Sequence, residues 1–399
     1  SPRLAQGRQM KPNHPESDID LYADSVLEDP YPSYRQLRDQ AAAVWLKPTE
    51  MYALTRFEDV REALRNWQVF SSARGVAMNE EINQAIAGNT LGSDPPQHQH
   101  FRSILVRPLM PDAMREVTTL IETESEALVE RLVNQQHFNA ATELAHYLPL
   151  TVVSHLVGLP EHDRERMLEW GNAAFETLGP ANTRGLAARP IAMGLVEYAF
   201  TKMTPSVLKP QSWAWRAFEA ARCGEITENE ARGLILDYVA PSLDTTIFAI
   251  TNAIWLFANN PGQWDLVREN PTLIPSAINE VLRVESPIQS FSRYVTRDTE
   301  VGGISMPAGS RAIVVYGSAN RDERKWPNPE TFDVRRKAAE QLAFGHGEHL
   351  CVGLPLARLE MKSLLAALAR RVKRFEIRSV ERALNNTLRG LKSLEVSVG

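Results

Sequence analysis

The sequence predicts a mainly α fold with a small β portion, on three observations. Apolar residues recur at helical spacing through most of the 399-residue chain. β-branched runs broken by Gly-Gly and Pro-Ala-Gly turns are confined to a few short stretches. The composition, 43% apolar and 23% charged, is that of a globular chain and excludes wholesale disorder or a fibrous repeat. No internal repeat and no low-complexity linker interrupts it, so residues 1–399 are expected to form a single domain.

The elements follow in order. Near 42–56, AAVWL and MYALT flank KPTE, which is the pattern of a hairpin. FEDVREALRN, HFRSILVRPL and MREVTTLIETESEALVERLVN then read as helices. Thr227 and Glu230 form a capping box that opens a long helical pattern ending near Asn259, before Pro261. That pattern covers roughly 32 residues, or ~48 Å at 1.5 Å per residue, enough to cross the whole domain. It contains Pro241, which cannot donate to the carbonyl of Asp237 and crowds it, so a kink or widening is expected there. Residues 294–318 predict short strands, Pro355–Arg371 an amphipathic helix, and Phe375 onward C-terminal strands and loops.

Charge and cysteine usage exclude several functions. The net charge is −5, so no chain-wide nucleic-acid footprint exists. The N-terminal SPRLAQGRQMKPNHPESD lacks the apolar core of a signal peptide, and no uninterrupted apolar run of about 18 residues suggests a membrane span. A soluble cytoplasmic protein is the resulting expectation. Two cysteines, Cys223 and Cys351, exclude a disulfide framework and a four-cysteine metal site.

The two cysteines are not equivalent. Cys223, in Ala-Arg-Cys-Gly-Glu, has no special setting. Cys351 follows Phe344-Gly345-His346-Gly347-Glu348-His349-Leu350 and precedes Val352-Gly353 and a helix. Glycines let backbone amides turn toward one atom, and the helix adds the positive end of its dipole. Both favour a thiolate. A small buried residue or a nucleophile would be the ordinary alternatives for a lone cysteine.

The pattern Phe-Gly-x-Gly-x-His-x-Cys-x-Gly, followed by Ala357-Arg358, resembles the haem-binding loop of the cytochrome P-450 superfamily. The resemblance implies the cytochrome P-450 fold, with haem b between a long central helix and the helix of the cysteine loop. It makes the Cys351 thiolate the axial ligand and the one metal-binding residue. Further segments carry the same likeness. Glu280-Val281-Leu282-Arg283 resembles the family's Glu-x-x-Arg, with side chains on one helical face. Phe332-Asp333-Val334-Arg335-Arg336 resembles the segment supplying a second arginine; spacing favours Arg336, with Arg335 the alternative. Glu280, Arg283 and Arg336 are then a structural brace. His98 and Arg102 share a helical face and, with Arg293 and His349, are implied to meet the haem propionates. Asp244-Thr245 matches the oxygen-activating pair, Thr245 holding a water and Asp244 exchanging protons with solvent. Pro241-Ser242 departs from the two small residues usual there, which leaves the detailed proton path open.

The resemblance is nearest to bacterial members that O-demethylate small para-substituted aromatics, of methoxybenzoate or methoxyphenol type. It rests on Ser71–Val76, Phe175–Pro180 and Asn385–Leu391. By position, Arg74, Val76, Met78, Phe175, Leu178, Val239, Pro241, Ile288, Phe291 and Leu388 would form the substrate pocket, though each taken singly could equally be core. Arg74 could pair with a carboxylate or be a surface residue. The turn at Leu236, Asp237 and Ala240 offers no cation, which favours a neutral phenol. Hydroxylation of an alkylphenol or terpenoid, a peroxide-using haem-thiolate enzyme and a non-catalytic haem binder are the rival functions. The chain carries no flavin or nicotinamide fingerprint, so electrons would come through an iron–sulfur ferredoxin and its reductase. Arg358, Lys362, Arg370 and Arg371 are the candidate docking cations on a monomer, with O2 and a small aromatic as the remaining partners.

Overall fold

The computed structural model describes residues 14–399. The stretch read for a leader lies largely outside them. The helices that position the site are α1 (Phe57–Arg65), α2 (Gln97–Leu105), α3 (Pro111–Gln135), α4 (Arg166–Thr177), α5 (Thr183–Thr201), α6 (Glu228–Val239), α7 (Asp244–Asn259), α8 (Ile274–Val284) and α9 (Leu354–Arg371).

The strands are β1 (Glu16–Ser17), β2 (Ala43–Leu46), β3 (Met51–Leu54), β4 (Phe70–Ser71), β5 (His137–Asn139), β6 (Ser290–Val295), β7 (Thr299–Val301), β8 (Ile304–Met306), β9 (Arg311–Val315), β10 (Phe375–Leu384) and β11 (Arg389–Val398). They form a sheet ordered β1-β2-β3-β9-β6-β4, a second ordered β10-β11-β5, and the β7-β8 pair. The expected hairpin is β2–β3, antiparallel with Ala43 opposite Leu54. Residues 294–318 hold the end of β6, all of β9 and the β7–β8 pair.

The core gathers around α7. Ile247, Phe248, Ile250, Ile254 and Phe257 are buried, because this helix is apolar on nearly every face and packs on all sides. It lies against β11, the turn Ala140–Ala145 and α8. α9 packs along α3 and against α8. Length and composition alone would let Glu228–Asn259 cross a membrane, but 72% of its apolar window is buried inside the fold. Apolar burial by neighbouring protein accounts for that composition.

The expected long helix is two helices. The capping box is present: Thr227 Oγ1 accepts from the Glu230 N–H at 3.1 Å, and Glu230 accepts from the Thr227 N–H at 2.7 Å. α6 then stops at Val239 and α7 begins at Asp244. Between them Ala240 still donates to the Leu236 carbonyl, but position 241 has no N–H to give. The proline thus ends one helix and forces a four-residue break rather than a bend in a continuous one.

Candidate active site

The break in the central helix faces the cysteine loop across an apolar cavity of about 320 Å³. On the cysteine side, backbone geometry fixes the loop. Gly345 and Gly347 both have φ +75°, a conformation that costs glycine nothing. A Cβ on Gly347 would also stand 2.7 Å from the Leu64 carbonyl oxygen of α1, so the loop packs where only glycine fits. The Cys351 N–H donates to the Phe344 carbonyl at 2.9 Å, closing the loop on itself. Pro355 falls in the first turn of α9, where its missing N–H is harmless.

The Cys351 side chain lines the cavity and is accessible only as part of that wall. Burial pushes its thiol up. The Gly353 N–H, the Arg102 guanidinium and the Leu354 N–H oppose that shift without reversing it. The loop therefore supplies the expected donors, but they do not ionise the bare sulfur; a bound metal cation would complete the deprotonation.

Three of the four expected propionate partners converge beside it. His98, Arg102 and His349 line the cavity. The His98 and His349 rings lie 4.0 Å apart between centroids. His98 Nδ1 and His349 Nε2 are buried without any protein partner. Burial lowers both imidazoles, that of His349 to about 2. Arg102 donates to the carbonyls of Leu350 at 2.5 Å and Glu348 at 3.2 Å. Arg293 does not line the cavity. It is buried on β6, donates to its neighbour's carbonyl, and reaches His349 electrostatically. An accessible sulfur, two orphaned imidazole nitrogens and an arginine on one wall form a donor set that fits haem with its carboxylates.

The brace is closed. Glu280 binds Arg283 through Oε1 and Arg336 Nε through Oε2 at 2.8 Å. Arg335 instead sits in the open beside Asp333 at 3.4 Å, so the geometry selects Arg336 from the two candidates. Arg283 also donates to the carbonyls of Asn320, Pro329 and Thr331. Glu280 and Arg283 are both fully buried.

On the far wall, Thr245 lines the cavity and its hydroxyl donates to the Pro241 carbonyl at 3.2 Å. The Ser242 hydroxyl turns back to the Tyr238 carbonyl. Asp244 does not line the cavity. Its carboxyl is buried toward α4, where Oδ2 has no hydrogen-bond partner. A Cβ on Gly171 of α4 would lie 3.0 Å from that oxygen and 2.8 Å from the Ala240 carbonyl oxygen. Glycine is what allows α4 to approach the break. Burial raises the Asp244 carboxyl from 3.8 to about 7.

Of the pocket residues expected from position, Phe175, Leu178, Pro241, Ile288 and Phe291 line the cavity. The Phe175 and Phe291 rings are nearly parallel, 11° apart with centroids separated by 6.5 Å. Val76, Val239 and Leu388 do not line it and are fully packed into the core. Leu388 sits directly behind, bridged to Ile288. Met78 packs against the first sheet, and the exposed Arg74 stacks its guanidinium on Tyr294 at 4.7 Å. Sequence position placed each of these near the cavity, but the loops carrying Arg74, Val76, Met78 and Leu388, and the helix face of Val239, turn the side chains elsewhere.

The turn judged for cations, Leu236, Asp237 and Ala240 of α6 and the break, also lines it, and so do residues outside the expected set: Asn89, Thr90 and Leu91 of the loop before α2, Met193 and Val196 of α5, Trp213 and Thr246. Asp237 had a legible signal, since a lone acid within GLILDYVA must be buried with its helix. Its Oδ1 accepts from Asn89 Nδ2 at 3.1 Å and its Oδ2 from the Thr90 N–H at 3.0 Å. Burial raises it to about 6 against hydrogen bonds from Thr90 and Leu91.

The candidate docking cations are mostly engaged. Arg370 and Arg371 both bind Glu126 of α3, and Arg358 binds Asn279 at 2.5 Å. Lys362 is exposed. Cys223 is exposed, next to the Arg222 guanidinium.

Comparisons with known proteins agree with this architecture. Residues 217–391 match the family model "Cytochrome P450". The chain is 33% identical over 389 residues to cytochrome P450 CYP199A2 of Rhodopseudomonas palustris, covering 96% of this chain and 94% of that protein. It is 29% identical to the beta-dihydromenaquinone-9 omega-hydroxylase of Mycobacterium tuberculosis, covering 96% of this chain and 78% of that one. Cytochrome P450 CYP109Q5 of Chondromyces apiculatus superposes with a TM-score of 0.78 at 26% identity, over 96% and 98% of the two chains. The cofactor is haem with iron bound by the cysteine thiolate, and the reaction class is monooxygenation, using O2, a substrate and electrons from a redox partner. With its cysteine loop, closed brace and broken central helix, this chain belongs to the cytochrome P450 family.

Proposed function

We propose that this enzyme oxidises a small aromatic substrate, and that the reaction is O-demethylation of a methoxy-substituted phenol. The observation that carries this reading is the shape of the cavity wall. Phe175, Leu178, Ile288 and Phe291 present an apolar surface in the cavity that Cys351 also lines, with two near-parallel rings suited to one flat aromatic.

Haem bound through Cys351 supplies the activation of O2, which thiolate donation favours. The protein's own residues do the rest. The apolar wall excludes water and holds the methyl group at the reacting centre, where placement governs which C–H bond is attacked. The Thr245 hydroxyl, anchored on the Pro241 carbonyl, holds a water at the cavity edge. Asp244, raised to about 7, takes up and releases a proton near neutral pH from behind the cavity wall. One oxygen atom enters a methyl C–H bond and gives a hemiacetal, which collapses to a phenol and formaldehyde. The second oxygen leaves as water, with two electrons and two protons consumed. An iron–sulfur ferredoxin with its reductase would deliver those electrons to a soluble, cytoplasmic monomer.

The test is a binding screen of small methoxyaromatics, read as the low-to-high-spin shift when water leaves the iron, followed by turnover with a ferredoxin system. Formaldehyde equal in amount to the phenol formed is the expected result. Hydroxylated product without formaldehyde would replace demethylation by hydroxylation. Absence of any spin shift would remove the aromatic reading.

A further inference from the structure

Asp237 is an anion in the wall of an otherwise apolar substrate chamber. The carboxylate is pinned on both oxygens, by Asn89 Nδ2 at 3.1 Å and by the Thr90 N–H at 3.0 Å, so its orientation is fixed by the loop before α2. The Thr90 side chain and the Leu91 N–H also approach the carboxyl, so a ligand donor would join or replace loop donors among its about four acceptor sites. Asp237 keeps some accessible surface, and it faces the cavity.

No cation balances it there. Among the described residues, the other formally charged side chain on the cavity is Arg102, which turns to the Leu350 and Glu348 carbonyls beside the cysteine loop. Arg74, the candidate partner for a substrate carboxylate, is exposed on Tyr294 and outside the cavity. Asp237 also stands about two helical turns before Thr245, or ~12 Å along an uninterrupted axis at 1.5 Å per residue. Both residues line the same chamber. A single para-substituted ring with its reacting group near Thr245 can turn its second substituent toward Asp237.

We propose that Asp237 is the specificity-determining residue, selecting aromatics that carry a hydrogen-bond donor opposite the oxidised group and rejecting carboxylates. The donor is a neutral phenolic O–H or a protonated amine N–H. A donor that displaces water from Asp237 gains a charge-assisted bond in a low-dielectric wall. A carboxylate placed there meets like charge and has no counter-cation. This inference rests on the aromatic reading above and deepens it.

The experiment titrates purified ferric holoenzyme with four ring-matched ligands: 4-methoxyphenol, 4-methoxybenzylamine, 4-methoxytoluene and 4-methoxybenzoate. Binding is read by the spin-state shift and, independently, by calorimetry. In the wild type, at least one donor-bearing ligand should bind roughly tenfold or more tighter than 4-methoxytoluene, the fold-change of one hydrogen bond to a charged group. The neutral and cationic ligands compared with each other identify the donor. 4-Methoxybenzoate should bind worst. Asp237→Asn should bring donor-bearing and donor-free ligands to similar affinity and improve 4-methoxybenzoate. The CO-bound spectrum of the variant verifies an intact haem pocket.

Equal wild-type affinity for 4-methoxytoluene and both donors, or tightest binding of 4-methoxybenzoate, overturns the proposal even if Asp237→Asn does not fold. Those outcomes leave the aromatic reading standing. Failure of all four ligands to bind removes the aromatic reading, and the proposal with it.

Discussion

The cysteine loop and the helix break face each other across one cavity but hold their functional atoms in different ways. The loop is a closed backbone structure. Its glycines sit at φ +75°, its amides point toward one sulfur, and its outer face rests on α1. The break is an opening in a regular element, where Pro241 removes one donor and the Ser242 and Thr245 hydroxyls find carbonyls left by the irregular turn. One side holds its sulfur in a fixed loop. The other places hydroxyls on single carbonyls beside a buried carboxyl. The proposed roles divide along the same line, cofactor binding on the loop and proton handling at the break, and that division can be tested one residue at a time.

The largest effect should come from the loop. Cys351→Ser removes the thiolate, so the red-shifted Soret band of the reduced CO complex should vanish and turnover should fall to background. Retention of that band would show another ligand on the iron. Next is the brace behind the loop. Glu280 is fully buried between Arg283 and Arg336, so Glu280→Gln leaves buried cations short of charge. Breaking such a group costs about 3–5 kcal/mol. A midpoint of chemical denaturation close to that of the wild type would contradict the closed network.

The break predicts effects on pH dependence rather than on assembly. Burial raises the Asp244 carboxyl from 3.8 to about 7, so the folded protein holds this proton more tightly than the unfolded chain. Stability contributed by this group is therefore present below about pH 4 and lost as pH rises toward 7. Asp244→Asn should flatten that decline and make the variant relatively more stable above pH 7. Asp237 and Glu176 are also raised by burial, to about 6 and about 7, so the readout is the difference between variant and wild type. Turnover should meanwhile lose its limb near neutrality. Equal stability profiles for the two proteins would mean Asp244 is not the buried acid described.

The same contrast explains what the sequence made legible. The cysteine loop is encoded in consecutive residues whose backbone demands are local, and Glu280 and Arg283 share one helical face, so both could be read directly. The substrate wall is assembled from separate segments, and there chain position misleads. Val239 neighbours Ala240 in sequence, yet only Ala240 faces the cavity, while Val239 is 1% exposed in the core. Val76 and Leu388 are buried behind the wall for the same reason. The long helix was legible in extent, and so was the site of its disruption. How the break is packed was not legible, because it involves α4 from a distant part of the chain, where Gly171 leaves room for the Ala240 carbonyl and the Asp244 carboxyl.

The smallest and most discriminating effect concerns Pro241 itself. Alanine there would restore an N–H able to donate to the Asp237 carbonyl, and it favours a helix interior by ~3 kcal/mol over proline. Pro241→Ala should therefore draw α6 and α7 toward one continuous helix. The Ser242 and Thr245 hydroxyls would then lose the carbonyl geometry created by the break. The cysteine loop is untouched, so the CO-bound spectrum should stay as in the wild type, and the apolar wall should still bind substrate. What should fall is coupling, measured as product formed per NAD(P)H consumed, because reducing equivalents would be spent without substrate oxidation. An unchanged ratio would detach the break from proton handling and leave it only a shape of the cavity wall. A lost CO-bound spectrum would show that the two sides cannot be separated.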